Sequence, residues 1–167
     1  MTCPWGEPAY RPITYDTPDV VSAFAEQVLE AHETIAGRMA CFSASWDDDA
    51  RDAAAGRVES VVSSCFGTIF GATPADRFAD VFAQVSCFAI HLAKDHIFAD
   101  GNKRTALLVS MALLRKAGIR VRLDDDADPA KNEAYLWIQD AVSGARGEDD
   151  LAELLRSSVV ADGRRSR

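Results

Sequence analysis

The chain has 167 residues, of which 48% are hydrophobic and 26% charged, with ten glycines and six prolines. This composition is typical of one globular domain and excludes disordered, collagen-like and low-complexity chains. The net charge of −8 argues against general affinity for nucleic acid or for an anionic membrane surface. No apolar run approaches the roughly 20 residues of a membrane span, and the N-terminus lacks a signal-peptide pattern, so we expect a cytoplasmic protein.

Six helices are predicted along the chain, each from an apolar stripe at helical spacing together with a capping or glycine signal at its ends. In chain order, they start at Thr17-Pro18 and end at Gly37, carry Val58 to Phe70 and end at Gly71, start at Thr73-Pro74 and carry Phe78 to Leu92, carry Thr105 to Leu114 and end at Gly118, start at Asp128-Pro129 and end at Gly144, and start at Asp149-Asp150 and carry Leu151 to Val159. The fourth is apolar nearly all round, which predicts a central, buried helix.

The helices predict an all-α bundle, with only a short extended piece at 119–123. We expect residues 1–17 to be an irregular N-terminal extension, 18–160 to be the folded domain, and 161–167 to be a disordered basic tail. The four cysteines are too widely spaced for a zinc knuckle or a disulfide framework.

The segment between the third and fourth helices carries the chemistry. It reads His96-Ile97-Phe98-Ala99-Asp100-Gly101-Asn102-Lys103-Arg104-Thr105 and lies in a stretch, 94–122, with seven basic and two acidic residues. A short glycine-containing loop at a helix N-terminus presents unpaired backbone N–H groups and the positive end of the helix dipole. The pattern therefore predicts an anion site for a small phosphorylated ligand.

Individual side chains of this loop suit phosphate chemistry. Asn102 and Arg104 supply hydrogen-bond donors, and Arg104 has the geometry for a bidentate contact. Asp100 supplies the single carboxylate with which Mg²⁺ is often held when substrate phosphates provide further oxygens. His96 suits a general base, because an imidazole exchanges its proton near neutral pH.

Other readings of the polar residues are less consistent with their spacing. His91 and His96 are five residues apart, which excludes a zincin-type pair, and the loop lacks the glycines of a Walker A motif. We expect His91 to be a polar histidine of the core and His32 to lie on the surface. Asp124-Asp125-Asp126 is predicted to be a solvated turn.

The loop strongly resembles the motif of the Fic/Doc family, His-x-Phe-x-Asp/Glu-Gly-Asn-Gly/Lys-Arg, and every position of the motif is filled. The resemblance is closer to the Doc (death-on-curing) toxins of toxin–antitoxin systems. Lys103 stands where Fic enzymes have a glycine, and Leu107 stands where many of them have a second arginine. Outside the loop, the resemblance is weaker and extends over about residues 29–156.

The resemblance implies a helical Fic/Doc fold and a transferase that uses ATP and Mg²⁺. His96 would be the general base, Asp100 the magnesium ligand, and Phe98 a core anchor of the loop; Gly101, Asn102, Lys103 and Arg104 would form the phosphate cradle. A Doc-like toxin would transfer the γ-phosphate to a translation factor such as elongation factor Tu and would be restrained by a cognate antitoxin. Two alternatives stay open: Fic-type transfer of AMP, and a relative that binds a nucleotide or a partner without turnover.

Overall fold

The computed structural model describes residues 10–38, 47–124, 126, 128 and 130–160, and these residues form an all-α fold. The predicted basic tail, 161–167, and the first nine residues of the N-terminal extension lie outside the described residues. In the described part of the chain, extended backbone pairs only in two isolated bridges, Ile69 with Ala72 and Val121 with Val159. Seven helices are described: α1 (Pro18–Arg38), α2 (Asp48–Phe66), α3 (Pro74–Arg77), α4 (Val81–Lys94), α5 (Asn102–Lys116), α6 (Glu133–Ser143) and α7 (Glu148–Ser157).

Helix α4 lies at the centre of the fold, where it packs against α2, α5, α6 and α7. Its Phe88 joins an aromatic cluster with Phe24 of α1 and Phe66 of α2, with ring centroids 5.3 to 5.9 Å apart. The predicted buried helix, α5, packs on α4 with one face, but Leu108 on its other face is 48% exposed. The apolar circumference of α5 therefore divides between core and an open surface, and α4 is the more enclosed helix.

The C-terminal ends of α1 and α2 differ from the prediction. Gly37 does not close α1 in the left-handed conformation, because the helix continues to Arg38. A helical glycine costs only about 1 kcal/mol relative to alanine. Helix α2 ends at Phe66 rather than near Gly71, because Arg77 donates to the carbonyl oxygens of Ser64 at 2.7 Å and Gly67 at 2.6 Å. The guanidinium thus satisfies carbonyls that a longer helix would have paired internally.

The third predicted helix is broken into α3 and α4. Asp80 is extended, with φ −162°, and its carboxylate accepts the N–H of Ala83 at 2.9 Å as the N-cap of α4. Arg156 of α7 donates to the same carboxylate at 2.7 Å, and the N–H of Val81 donates to the carbonyl of Tyr10. Capping and tertiary pairing of Asp80 therefore outweigh the helical spacing across this position.

The described part of the N-terminal extension, residues 10–17, is irregular and packs on the core. Gln84 of α4 exchanges hydrogen bonds with the backbone of Ile13 at 2.7 and 2.6 Å. The N–H of Tyr15 donates to the carbonyl of Phe66.

Further along the chain, α6 begins at an N-cap formed by Asn132 rather than at Asp128, and it ends at left-handed Gly144 as predicted. None of the described helices is long and apolar enough to cross a membrane.

Candidate active site

Residues 95–101 form a tight loop that joins the central helix α4 to α5. Asp95 ends α4, and His96 follows with φ 46°, a left-handed backbone that non-glycine residues seldom adopt. Arg57 of α2 donates to the carbonyl oxygen of His96 at 3.1 Å and to that of Asp95. His96 is exposed and lines a cleft, so its imidazole is a candidate base. The two hydrogen bonds from Arg57, which we call the Arg57 clamp, fix the backbone that carries this side chain.

Phe98 and Asn102 close the loop on itself. The Phe98 side chain is 2% exposed, which confirms its predicted place as a core anchor. The N–H of Phe98 donates to Oδ1 of Asn102 at 3.0 Å, and Nδ2 of Asn102 donates to the carbonyl of Phe98 at 2.7 Å. The sequence predicts the Asn102 amide as a phosphate donor, whereas in the structure it holds the loop closed.

Gly101 is the N-cap of α5 and has φ 78°. A Cβ at this position would lie 3.3 Å from Cε1 of His32, so both backbone conformation and space favour glycine. The first hydrogen bond of the helix runs from the N–H of Thr105 to the carbonyl of Gly101. The N–H groups of 102–104 lie in the first turn, where the helix has no carbonyl of its own to accept them. A helix N-terminus therefore lies at the position where the loop predicts an anion site.

The charged residues of the loop lie on the same cleft. Asp100 is exposed, and its Oδ1 accepts the N–H of Gly101 at 2.6 Å. The ammonium of Lys103 donates to Oε1 of Gln139 on α6 at 2.8 Å, while Arg104 is exposed beside it. A carboxylate and two cations thus line one end of the cleft.

His32 is the main site residue that sequence analysis missed. It is half-buried against the loop rather than on the surface: its ring stacks on Phe98, with centroids 3.8 Å apart and planes 6° apart. Its Nδ1 lies 3.1 Å from Oγ1 of Thr105. Burial lowers the pKa of His32, against the opposing effect of the carboxylates of Glu33 and Asp100. No local sequence signal indicates this role, since α1 and the loop are far apart in the chain. His91, predicted in the core, is exposed.

The cleft has a volume of about 1020 Å³, and its lining divides by chemistry into a polar part and an apolar part, which we name the polar end and the apolar end. The loop and the first turn of α5 form the polar end. The other end is mostly apolar, and its larger side chains come from α5, α6 and the extended piece: Leu107, Leu108, Met111, Val121, Leu123, Tyr135, Ile138 and Val142. This space is large enough for a nucleotide together with part of a protein substrate.

The arrangement suits phosphate binding more than a protein-only metal site. Among the described residues, no group of three or more histidine, cysteine or carboxylate side chains could hold a metal ion. Asp100 provides one carboxylate at the polar end, which fits a Mg²⁺ ion whose other ligands are phosphate oxygens and water. An exposed imidazole, a carboxylate and a helix N-terminus are the parts needed to position and deprotonate an attacking hydroxyl.

Comparison with known proteins gives a family match that includes the loop. The family model described as "Fic/DOC family" matches residues 21–114, more than half of the chain, and this range includes the whole loop. A protein described as "Protein kinase doc", from Escherichia phage P1, is 32% identical over 66 residues, which are 40% of this chain and 49% of that protein. The match spans about half the length of that relative. The chain belongs to the Fic/Doc family.

Proposed function

We propose that the protein is a Doc-like toxin that transfers the γ-phosphoryl group of ATP, with Mg²⁺, to a hydroxyl of a protein target. One observation carries the proposal: the imidazole of His96, the carboxylate of Asp100 and the N-terminus of α5 share one end of the cleft. These groups supply a base, a metal ligand and an anion site within a single loop. Phosphoryl transfer requires little more than positioning and charge stabilisation.

In the proposed reaction, the target hydroxyl oxygen bonds to the γ-phosphorus as the bond from that phosphorus to the β,γ-bridging oxygen breaks. The imidazole of His96 takes the hydroxyl proton, and ADP leaves. The N–H groups of 102–104 and the guanidinium of Arg104 stabilise the phosphate oxygens. Asp100 would hold Mg²⁺, which neutralises phosphate charge when it is bound.

Transfer of the γ-phosphate rather than AMP is supported by Lys103. A glycine at this position lets phosphates approach the helix backbone, whereas a lysine adds bulk and a point charge. The hydrogen bond to Gln139 holds that ammonium at the α5–α6 side of the cleft. The description of the phage relative as a protein kinase favours the same chemistry. Transfer of AMP and binding without turnover are the outcomes against which the proposal is tested.

The apolar end of the cleft is where we place protein partners. Leu108 is 48% exposed and Tyr135 is 44% exposed, and both line the apolar end of the cleft. Exposed apolar side chains along a groove suit an amphipathic helix, and we propose that a cognate antitoxin binds there. A translation factor is the proposed substrate. Expression without the antitoxin should arrest growth, and coexpression of a small neighbouring open reading frame should relieve the arrest.

The test of the enzyme is label transfer from ATP to a protein in a cell extract, by the wild type and by two variants of His96. His96→Ala removes the base, and His96→Asn does so with a residue that tolerates positive φ better. Loss of a general base lowers rates by roughly 10² to 10⁴. The matched control is His91→Ala, at an exposed histidine that does not line the cleft. Full transfer or toxicity in both folded His96 variants would contradict the mechanism.

A further inference from the structure

The imidazole of His32, on helix α1, lies against three residues of the segment 98–105, which comes from a different part of the chain. The ring stacks on Phe98 at a centroid distance of 3.8 Å. Its Nδ1 lies 3.1 Å from Oγ1 of Thr105, in the first turn of α5. Its Cε1 lies 3.3 Å from the position of a Cβ on Gly101. One side chain of α1 therefore touches both ends of the segment that contains Asp100.

We propose that His32 is a positioning residue. It holds the segment 98–105, the proposed phosphate-binding turn, in a fixed position relative to His96. The ring stack holds Phe98 against α1, and the hydrogen bond to Thr105 holds the first turn of α5 against α1. The inference rests on the proposed function only for its kinetic consequence. The mechanical consequence, a more rigid turn, follows from the contacts alone.

The stack and the hydrogen bond make separable contributions. A phenylalanine at position 32 keeps a flat ring on Phe98 but has no nitrogen for Thr105. Thr105→Val removes the hydroxyl with almost no change of shape, and Thr105→Ser retains it. If the bond positions the turn, His32→Phe and Thr105→Val should have similar effects. The double variant should then be little worse than either single variant.

The kinetic effect should appear in turnover rather than in nucleotide affinity. The α5 N-terminus and Arg104 remain available to ATP when the turn shifts, but the target hydroxyl, His96 and the phosphate lose alignment. A misplacement of about 1 Å can lower a rate by about 10²-fold. We expect His32→Phe and Thr105→Val to reduce kcat by about tenfold or more, with the KM for ATP within about twofold to threefold of the wild type.

The experiment combines label transfer with hydrogen exchange at the Phe98 amide, in the full chain. Exchange in His32→Phe and Thr105→Val should be at least about tenfold faster than in the wild type, while Tm changes little. Thr105→Ser should restore both the wild-type kcat and slow exchange. The control is His91→Phe, the same replacement at an exposed histidine outside the cleft, which should behave as the wild type.

Wild-type turnover or wild-type exchange in Thr105→Val overturns the role of the bond. A wild-type chain that transfers no label contradicts the proposed function instead. In that case, exchange at Phe98 still decides the inference about His32, so the two failures are distinguishable.

Discussion

The side-chain amide of Asn102 pairs with both backbone polar groups of Phe98, accepting its N–H at 3.0 Å and donating to its carbonyl at 2.7 Å. Both residues are buried, so these two hydrogen bonds satisfy polar groups that lie away from solvent. The asparagine of the motif thus stabilises the bend that brings Asp100 and Gly101 over α5. Its amide acts on the shape of the loop, and its backbone lies in the first turn of α5, where we propose that phosphate binds.

Asn102→Ala should lower the free energy of unfolding by about 1–3 kcal/mol, because the variant loses two buried hydrogen bonds to the backbone of Phe98. Asn102→Asp keeps the acceptor for the Phe98 N–H but loses the donor, so its effect on loop order should be intermediate. Urea unfolding and label transfer measure the two consequences. An alanine variant with wild-type stability would show that the pairing contributes nothing to the fold.

Gly101→Ala should destabilise the protein and reduce activity. Its φ of 78° costs an L-residue about 1–2 kcal/mol, and the new Cβ would lie 3.3 Å from Cε1 of His32. The matched control is Gly56→Ala in α2, where a Cβ meets no atom within 4 Å. That change should stabilise the helix by about 0.5–1 kcal/mol. Equal effects at the two positions, measured by denaturant unfolding, would exclude this explanation for Gly101.

The sequence predicts much of this fold because its signals are local. The hydroxyl and proline at Thr17-Pro18 and the left-handed glycine at Gly144 mark helix ends that the structure confirms. The motif loop is likewise continuous in sequence, and its polar and charged residues line one cleft. Errors occur where a tertiary partner decides the outcome. The break at Asp80 depends on Arg156, and the end of α2 depends on Arg77.

The side chains that hold the loop in place also depend on tertiary contacts, so they could not be predicted from the sequence. His32 and Arg57 contact the loop from α1 and α2, with no motif or spacing to connect them to it. The amide of Asn102 carries no local sign that it bonds to Phe98 rather than to a ligand. Side chains that are close together in sequence can be placed in one cleft from the sequence, whereas the side chains that hold their segment require the fold.

Arg57→Ala should reduce activity more than it reduces stability. Arg57 is exposed, but it donates to the carbonyls of Asp95 and His96, where the backbone turns to a φ of 46°. Without the clamp, the imidazole of His96 should sample other positions, and we expect a decrease in kcat of about tenfold. Arg57→Lys keeps the charge but cannot form the forked contact, so it should restore activity only in part. Wild-type kcat in Arg57→Ala would contradict this role.

Stability should decrease as the solution becomes mildly acidic, partly through His32. Because burial lowers the pKa of His32 in the folded protein, the unfolded chain binds this proton more readily. The contribution of neutral His32 is complete above the unfolded pKa of about 6.5 and is lost as the pH falls below it. The free energy of unfolding should therefore fall more steeply for the wild type than for His32→Phe between about pH 7 and 5. An equal decrease in the free energy of unfolding of both proteins would contradict a contribution of His32 to this pH dependence.

The most direct measurement compares label transfer to protein from ATP labelled at the γ-phosphate and from ATP labelled at the α-phosphate, with Mg²⁺ and a cell extract. The wild type should transfer the γ-label and none of the α-label. Lys103→Gly should lose γ-transfer, because the ammonium that donates to Gln139 at 2.8 Å is removed from the lining of the cleft. Label that arrives only from the α-position would contradict phosphoryl transfer and assign the protein to the adenylyl transferases.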